Sequence, residues 1–153
     1  MGWVEELRGK VVGLDTSPFI YYIEKNPFYV DMLRPFFQLV DRGEVSIVTS
    51  VVTLLETLVH PCRHKNVTLA DQYRDILLNT RGLRTIELSK NIAEEAAQLK
   101  AIYNIRTPDS IHMATAINQE ASFFLTNDMR LPSLPHLKVL TLDEIKTRPE
   151  YLQ

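Results

Sequence analysis

KVVGLDTSPFIYYIE, residues 10–24, reads as a short buried strand that ends on a carboxylate and passes directly into a helix. Residues 10–15 form the apolar run. Pro18 then falls in the first turn of a helix reaching about Glu24, where its missing N–H forfeits no intrahelical bond. Asp15 is thereby placed at the carboxyl end of a strand. Two further segments repeat the theme of apolar run followed by polar turn. VSIVTSVVTLLET carries Glu56 on the helix after its strand, and ASFFLTNDMRL carries Asp128 just past its strand. A fourth acid, Asp109 in IRTPDSIHMATAI, opens a helix of its own.

The remaining punctuation is consistent with the same alternation. Residues 29–41 show helical spacing, with Gly43 as the stop. Residues 44–49 read as a second strand, and Ser50 caps a helix through about Val59 that Pro61 ends. Residues 68–79 form another amphipathic helix, and residues 83–88 a third strand. Ser89 caps a helix to about Tyr103, and Thr107 caps a further one, with Pro108 at its first position, to about Gln119. Residues 122–126 and 138–141 are the fourth strand and a short fifth, and the charged tail beyond is partly helical. Strands separated by helices predict right-handed crossovers and an α/β domain in three α/β/α layers, with a central parallel sheet of four to five strands. Ligands of such sheets collect outside the carboxyl ends of the strands, where strand order reverses. Scattered acids at strand ends therefore imply one shared site.

Composition narrows the classes. A chain of 153 residues with 45% hydrophobic content reads as a single domain, residues 1–153, that buries roughly two-thirds of its unfolded surface. No repeat, low-complexity tract or linker divides it. The lone Cys62 excludes an internal disulfide framework and suits a reducing compartment. The acidic amino terminus lacks the pattern of a signal peptide, and no apolar run approaches the ~20 residues of a membrane span, so a cytoplasmic protein is expected. A net charge of −2 argues against bulk electrostatic binding of nucleic acid and leaves a local patch or a metal to supply phosphate affinity.

Four converging acids exceed what helix-dipole stabilisation explains. Packed together they would repel and push pKa values upward, and a divalent ion is the natural counter-charge. All-oxygen ligation selects hard cations such as Mg²⁺ or Mn²⁺. Rival chemistries fit less well. A haloacid-type phosphatase needs an acid where Ser17 stands, and a dinucleotide enzyme needs a glycine-rich turn in place of Thr16-Ser17-Pro18. His60, Cys62 and His64 offer three zinc ligands, one short of the usual set, with Pro61 distorting their spacing. His112, one turn after Asp109, shares its helix face and reads as a satisfied polar residue bordering the core rather than a group at the metal edge.

LDTSPFIYYIE, SVVTLLETL, TPDSIHMATA and FLTND, in this order over residues 11–140, resemble the motifs of the PIN-domain nucleases, and within them the VapC-like toxin ribonucleases of type II toxin–antitoxin modules. The resemblance implies a PIN-like (Rossmann-like) fold and Mg²⁺- or Mn²⁺-assisted hydrolysis of phosphodiester bonds in single-stranded RNA. Asp15, Glu56, Asp109 and Asp128 would be the catalytic and metal-holding residues, Glu56 either as a ligand or as orienter of the attacking water. Ser17, Ser110, Thr126 and Asn127 would support them by hydrogen bonds. It also implies a homodimer and a cognate antitoxin. The aromatic excess in Phe19, Tyr21, Tyr22, Phe28, Tyr29, Phe36 and Phe37 points the same way, one of each of the pairs Tyr21-Tyr22 and Phe36-Phe37 being expected in the core and the other at a contact. The alternative is a PIN-like module that binds RNA or a protein without cutting.

Overall fold

The computed structural model describes residues 2–149. After a 3₁₀ turn at Trp3–Leu7 come strand β1 (Val11–Leu14), helix α1 (Thr16–Ile23), α2 (Val30–Asp41), β2 (Ser46–Ser50), α3 (Val51–Arg63), α4 (Val67–Asn79) and β3 (Leu83–Ile86). The second half adds α5 (Lys90–Tyr103), α6 (Thr107–Asn118), β4 (Phe123–Thr126), β5 (Lys138–Thr141) and α7 (Leu142–Lys146). The tail beyond residue 149, which the sequence assigned to a partly helical segment, lies outside the described residues after α7.

All pairings in the sheet are parallel, and the order is β3-β2-β1-β4-β5. The chain winds outward from β1 to β3, then crosses back through α5 and α6 to lay β4 on the other side of β1. Strand order reverses there, so the ends of β1 and β4 flank the crevice in which α/β sheets bind ligands. Alternation along the strands feeds two cores. Ile47, Leu125 and Leu140 face the layer of α1, α2, α4 and α7, whereas Val48, Phe124 and Val139 face α5 and α6. The architecture is the three-layer α/β/α arrangement with a parallel sheet that the sequence predicts, the sheet having five strands.

Gly13 sets how closely α6 approaches β1. A Cβ at this position would stand 2.6 Å from Ala116 Cβ and 3.0 Å from Phe124 Cδ1, so only glycine admits the small-residue face of α6 at this distance. The ending of α2 follows expectation, with Gly43 in the left-handed region at φ 75°.

Three expectations are corrected. Pro61 does not end α3, which runs to Arg63. A proline in the last turn loses a single backbone donor, and the helix closes beyond it in a Schellman arrangement: Lys65, at φ 54°, donates to Cys62 O, while Asn66 donates to Pro61 O at 2.8 Å. Thr107 is the first residue of α6 rather than its cap. Arg106 holds the cap position without a side-chain bond to the backbone, and the Ser110 hydroxyl turns back to Thr107 O at 2.7 Å. Phe36 and Phe37 are both buried. Phe37 stacks on Tyr22 with ring centroids 4.0 Å apart and Phe36 stacks on Trp3, because α1, α2 and the 3₁₀ turn cover one another as well as the sheet. Of the early aromatics, Phe28 is the one left largely open, at 72% exposure.

Candidate active site

The end of β1 delivers Asp15 as the residue preceding α1. Its Oδ1 accepts the Thr16 N–H at 2.8 Å and its Oδ2 accepts the Thr126 hydroxyl at 2.6 Å. Thr126 closes β4, and its oxygen also accepts the backbone N–H of Asp128 at 3.0 Å. One threonine thus ties the two strand ends together across the switch point. Ser50 caps α3 through Val52 N–H, and the first two turns of that helix aim Glu56 at the same place. Asp109 enters from the first turn of α6, where the helix dipole favours an acid.

The four carboxylates line one cavity of about 410 Å³, together with Thr16, Ser17, Ile20, Tyr21, Arg106, Asn127 and Arg130. Asn127 is fixed by its Oδ1, which accepts from Asp143 N, and by its amide, which donates to the Tyr29 hydroxyl at 3.1 Å. Tyr29 stacks on Tyr21 at 4.4 Å. Of the four supporting residues expected, Ser17, Thr126 and Asn127 reach the site. Ser110 does not: it lines a separate apolar depression between α5 and α6, because it points away from Asp109 around the helix.

The electrostatics depart from simple repulsion among acids. Burial, first of all, raises the Asp15 carboxyl above its usual range, with Asp109 the smallest of the causes and with His112, Thr126 and Thr16 opposing. Glu56 and Asp128 move the other way. The His112 hydrogen bond leads in lowering Glu56, and the Arg130 hydrogen bond leads in lowering Asp128. Arg130 grips Asp128 with Nε at 2.9 Å and Nη2 at 2.8 Å, and Arg106 Nε reaches Asp109 Oδ2 at 3.2 Å. The chain itself supplies counter-charges that the four-acid pattern did not anticipate.

His112 corrects the sequence reading most clearly. Rather than bordering the core, the ring is buried behind the acids, with Nε2 2.9 Å from Glu56 Oε1 and 3.8 Å from Asp15 Oδ1. Its position three residues after Asp109 was the available signal. For Arg106 and Arg130 the signals were their places three before Asp109 and two after Asp128.

Among the described residues no three His, Cys, Asp or Glu side chains form a ready-made cage for an ion. The donor chemistry nevertheless fits a hard divalent cation, since such ions keep several waters and need only one or two direct carboxylates. Four carboxylates around a water-accessible cavity satisfy that requirement.

Comparison with known proteins places the chain. No individual curated protein matches its sequence. Among solved structures, a chain of the VapBC2 complex of Rickettsia felis bound to promoter DNA superposes with a TM-score of 0.65 at 22% identity, covering 86% of this chain and 98% of that one. A toxin–antitoxin complex from Klebsiella pneumoniae gives 0.61 at 22% identity over 86% and 97%. DNA-bound VapBC from Salmonella typhimurium gives 0.61 at 17% over 87% and 98%. These likenesses are of fold. The sequence profile of the PIN domain matches residues 12–137, which take in all but the first residue of β1, the whole of β4 and all four acids, and the chain belongs to the PIN domain family.

Proposed function

We propose that this chain, one PIN domain throughout, is a metal-dependent endoribonuclease that hydrolyses phosphodiester bonds of single-stranded RNA, acting as the toxin of a type II toxin–antitoxin pair. The observation that carries the reading is the convergence of Asp15, Glu56, Asp109 and Asp128 on one cavity at the switch point of the sheet. Bound there, Mg²⁺ or Mn²⁺ would polarise the phosphate and lower the pKa of a water. Asp109 and Asp15, the two buried acids, form the floor of the binding site, and Asp128 and Glu56 stand nearer solvent. Glu56, held on one oxygen by Thr16 and His112, keeps its other oxygen, which has no donor among the described residues, free to orient a water. Arg106 and Arg130 put planar, permanently charged groups at the mouth, suited to the phosphates of an incoming strand. A nucleophilic side chain is not needed.

Purified protein is expected to cut single-stranded RNA with Mg²⁺ or Mn²⁺ and to stop in chelator. Asp15→Asn and Asp109→Asn should each cost about 100-fold or more. Undiminished cleavage in chelator would refute the reading. The ion pairs already formed by Asp109 and Asp128 favour a second reading, an RNA-binding PIN domain that does not cut. RNA bound but left intact at saturating metal would select it.

The partners follow from the same reading. The similar solved complexes pair a toxin with an antitoxin, which supports a cognate antitoxin here, and a basic side chain from it would compete with metal for the carboxylates. We also propose a homodimer, which light scattering after size exclusion decides. No helix among the described residues is long and apolar enough to cross a membrane, in keeping with action on cytoplasmic RNA.

A further inference from the structure

His112 carries none of the four acids' chemistry, yet α6 holds it against two of them. The ring is 3% exposed, and its Nδ1 is buried with no hydrogen-bond partner among the described residues. Nε2 meets Glu56 Oε1 at 2.9 Å. An ionised carboxylate only accepts hydrogen bonds, so the hydrogen between the two groups belongs to Nε2. A hydrogen on Nδ1 would instead be a buried donor lacking an acceptor.

A second donor acts on the same carboxylate oxygen. The Thr16 hydroxyl reaches Glu56 Oε1 at 2.6 Å and stands 3.3 Å from the Thr53 hydroxyl. Thr53 and Thr49 lie 2.8 Å apart, and Thr49 donates to Leu14 O at 2.9 Å. Glu56 is therefore anchored through hydroxyls to the end of β1 and through an imidazole to α6. Both contacts fall on Oε1, and Oε2 has no donor among the described residues. Because Glu56 lines the cavity, Oε2 is the oxygen left for a ligand.

Resting on the nuclease reading above, we propose that His112 is a positioning residue: with Thr16 it pins Oε1 of Glu56, so that Oε2 is offered to the cation or its water in a single orientation. Without the imidazole, Glu56 would sit on a flexible stem with one hydroxyl to hold it. Pre-orientation by such an outer partner is worth about 10- to 100-fold in metal affinity.

Two substitutions separate positioning from space filling. Glutamine carries a donor nitrogen at a reach close to that of imidazole Nε2, whereas leucine fills comparable volume with no donor. With folding checked by circular dichroism, isothermal titration of Mn²⁺ into His112→Leu should show affinity lowered about 10- to 100-fold, and His112→Gln should recover most of it. Wild-type affinity in His112→Leu, or equal losses in both variants, would overturn the proposal. If His112→Leu does not fold, His112→Asn takes its place, since its shorter amide cannot span the gap to Glu56. A metal-free readout stands beside these. A long-range ¹H–¹⁵N spectrum should place a His112 hydrogen on Nε2 and shift that signal on Glu56→Gln, and a hydrogen found on Nδ1 with none on Nε2 would overturn the clamp. Wild-type protein that neither binds Mn²⁺ nor cuts RNA would sink the nuclease reading, and the imidazole spectrum would still decide the clamp.

Discussion

Replacing Gly13 by alanine tests whether the close approach of α6 to β1 is what assembles the site. The added methyl would stand 2.6 Å from Ala116 Cβ, 3.0 Å from Phe124 Cδ1 and 3.6 Å from Phe123 O. Carbon atoms settle at about 3.5–4.0 Å, so helix and sheet must part by about 1 Å. Overpacking of this kind costs about 1–3 kcal/mol. At about 2–4 °C per kcal/mol for a domain of this size, the melting temperature should fall by about 2–12 °C. The same displacement moves Asp109 and His112, both on α6, relative to Asp15 at the end of β1. A misplacement near 1 Å can reduce turnover about 100-fold, so RNA cleavage should drop far more than stability alone explains. Differential scanning fluorimetry and a cleavage assay at a temperature where the variant stays folded separate the two effects. Ala116→Gly removes the opposing methyl. By itself it should destabilise by about 1 kcal/mol as a helix glycine, and combined with Gly13→Ala it should give back part of the loss, with a coupling of at least about 0.5 kcal/mol. Strict additivity, or a Gly13→Ala protein that melts with the wild type, would refute this account of the β1–α6 contact.

Two further predictions concern the acids in metal-free protein. The Asp15 carboxyl is raised above its usual value, chiefly by burial, so the native state binds more protons than the unfolded chain between the unfolded and folded pKa. Its ionisation therefore removes stability as pH rises through that window. Asp15→Asn should melt at or above the wild type at pH 7, with the advantage vanishing by about pH 4, near the unfolded Asp value. A variant relatively weaker at pH 7 than at pH 4 would contradict the sign. Asp128 behaves oppositely, because Arg130 lowers its carboxyl. Relief of like-charge strain is the expectation from the four-acid pattern alone, but with a guanidinium already on both oxygens Asp128→Asn should lower the melting temperature slightly, and the difference should shrink in high salt. A higher melting temperature would mean that repulsion dominates after all.

Much of this molecule is legible one element at a time. Ser50 and Ser89 cap α3 and α5 through the backbone N–H groups of Val52 and Ile92, as short polar residues ahead of apolar periodicity should. The weak fifth strand forms at Lys138–Thr141, where the sequence places it. Pro61 misled because the rule takes a proline as a stop, whereas one this near the end forfeits a single N–H and the helix closes two residues later. Phe36 and Phe37 misled for a broader reason. Their burial is decided by Trp3 and Tyr22, which are distant along the chain and adjacent in space.

The sequence by itself determined the alternation of strands and helices, the parallel sheet and the four carboxylates as candidates, because capping, periodicity and strand-end placement act within a few residues. Tertiary structure alone decided the strand order that sets β1 beside β4, the Thr126 bond that joins Asp15 to the Asp128 turn, and the turning away of Ser110. It also decided that two arginines and a buried imidazole stand among the acids. Coulomb and hydrogen-bond energies depend on distances of a few ångströms and on local burial. Residues 56 positions apart in the chain, as Glu56 and His112 are, acquire such a distance only when the sheet closes between them.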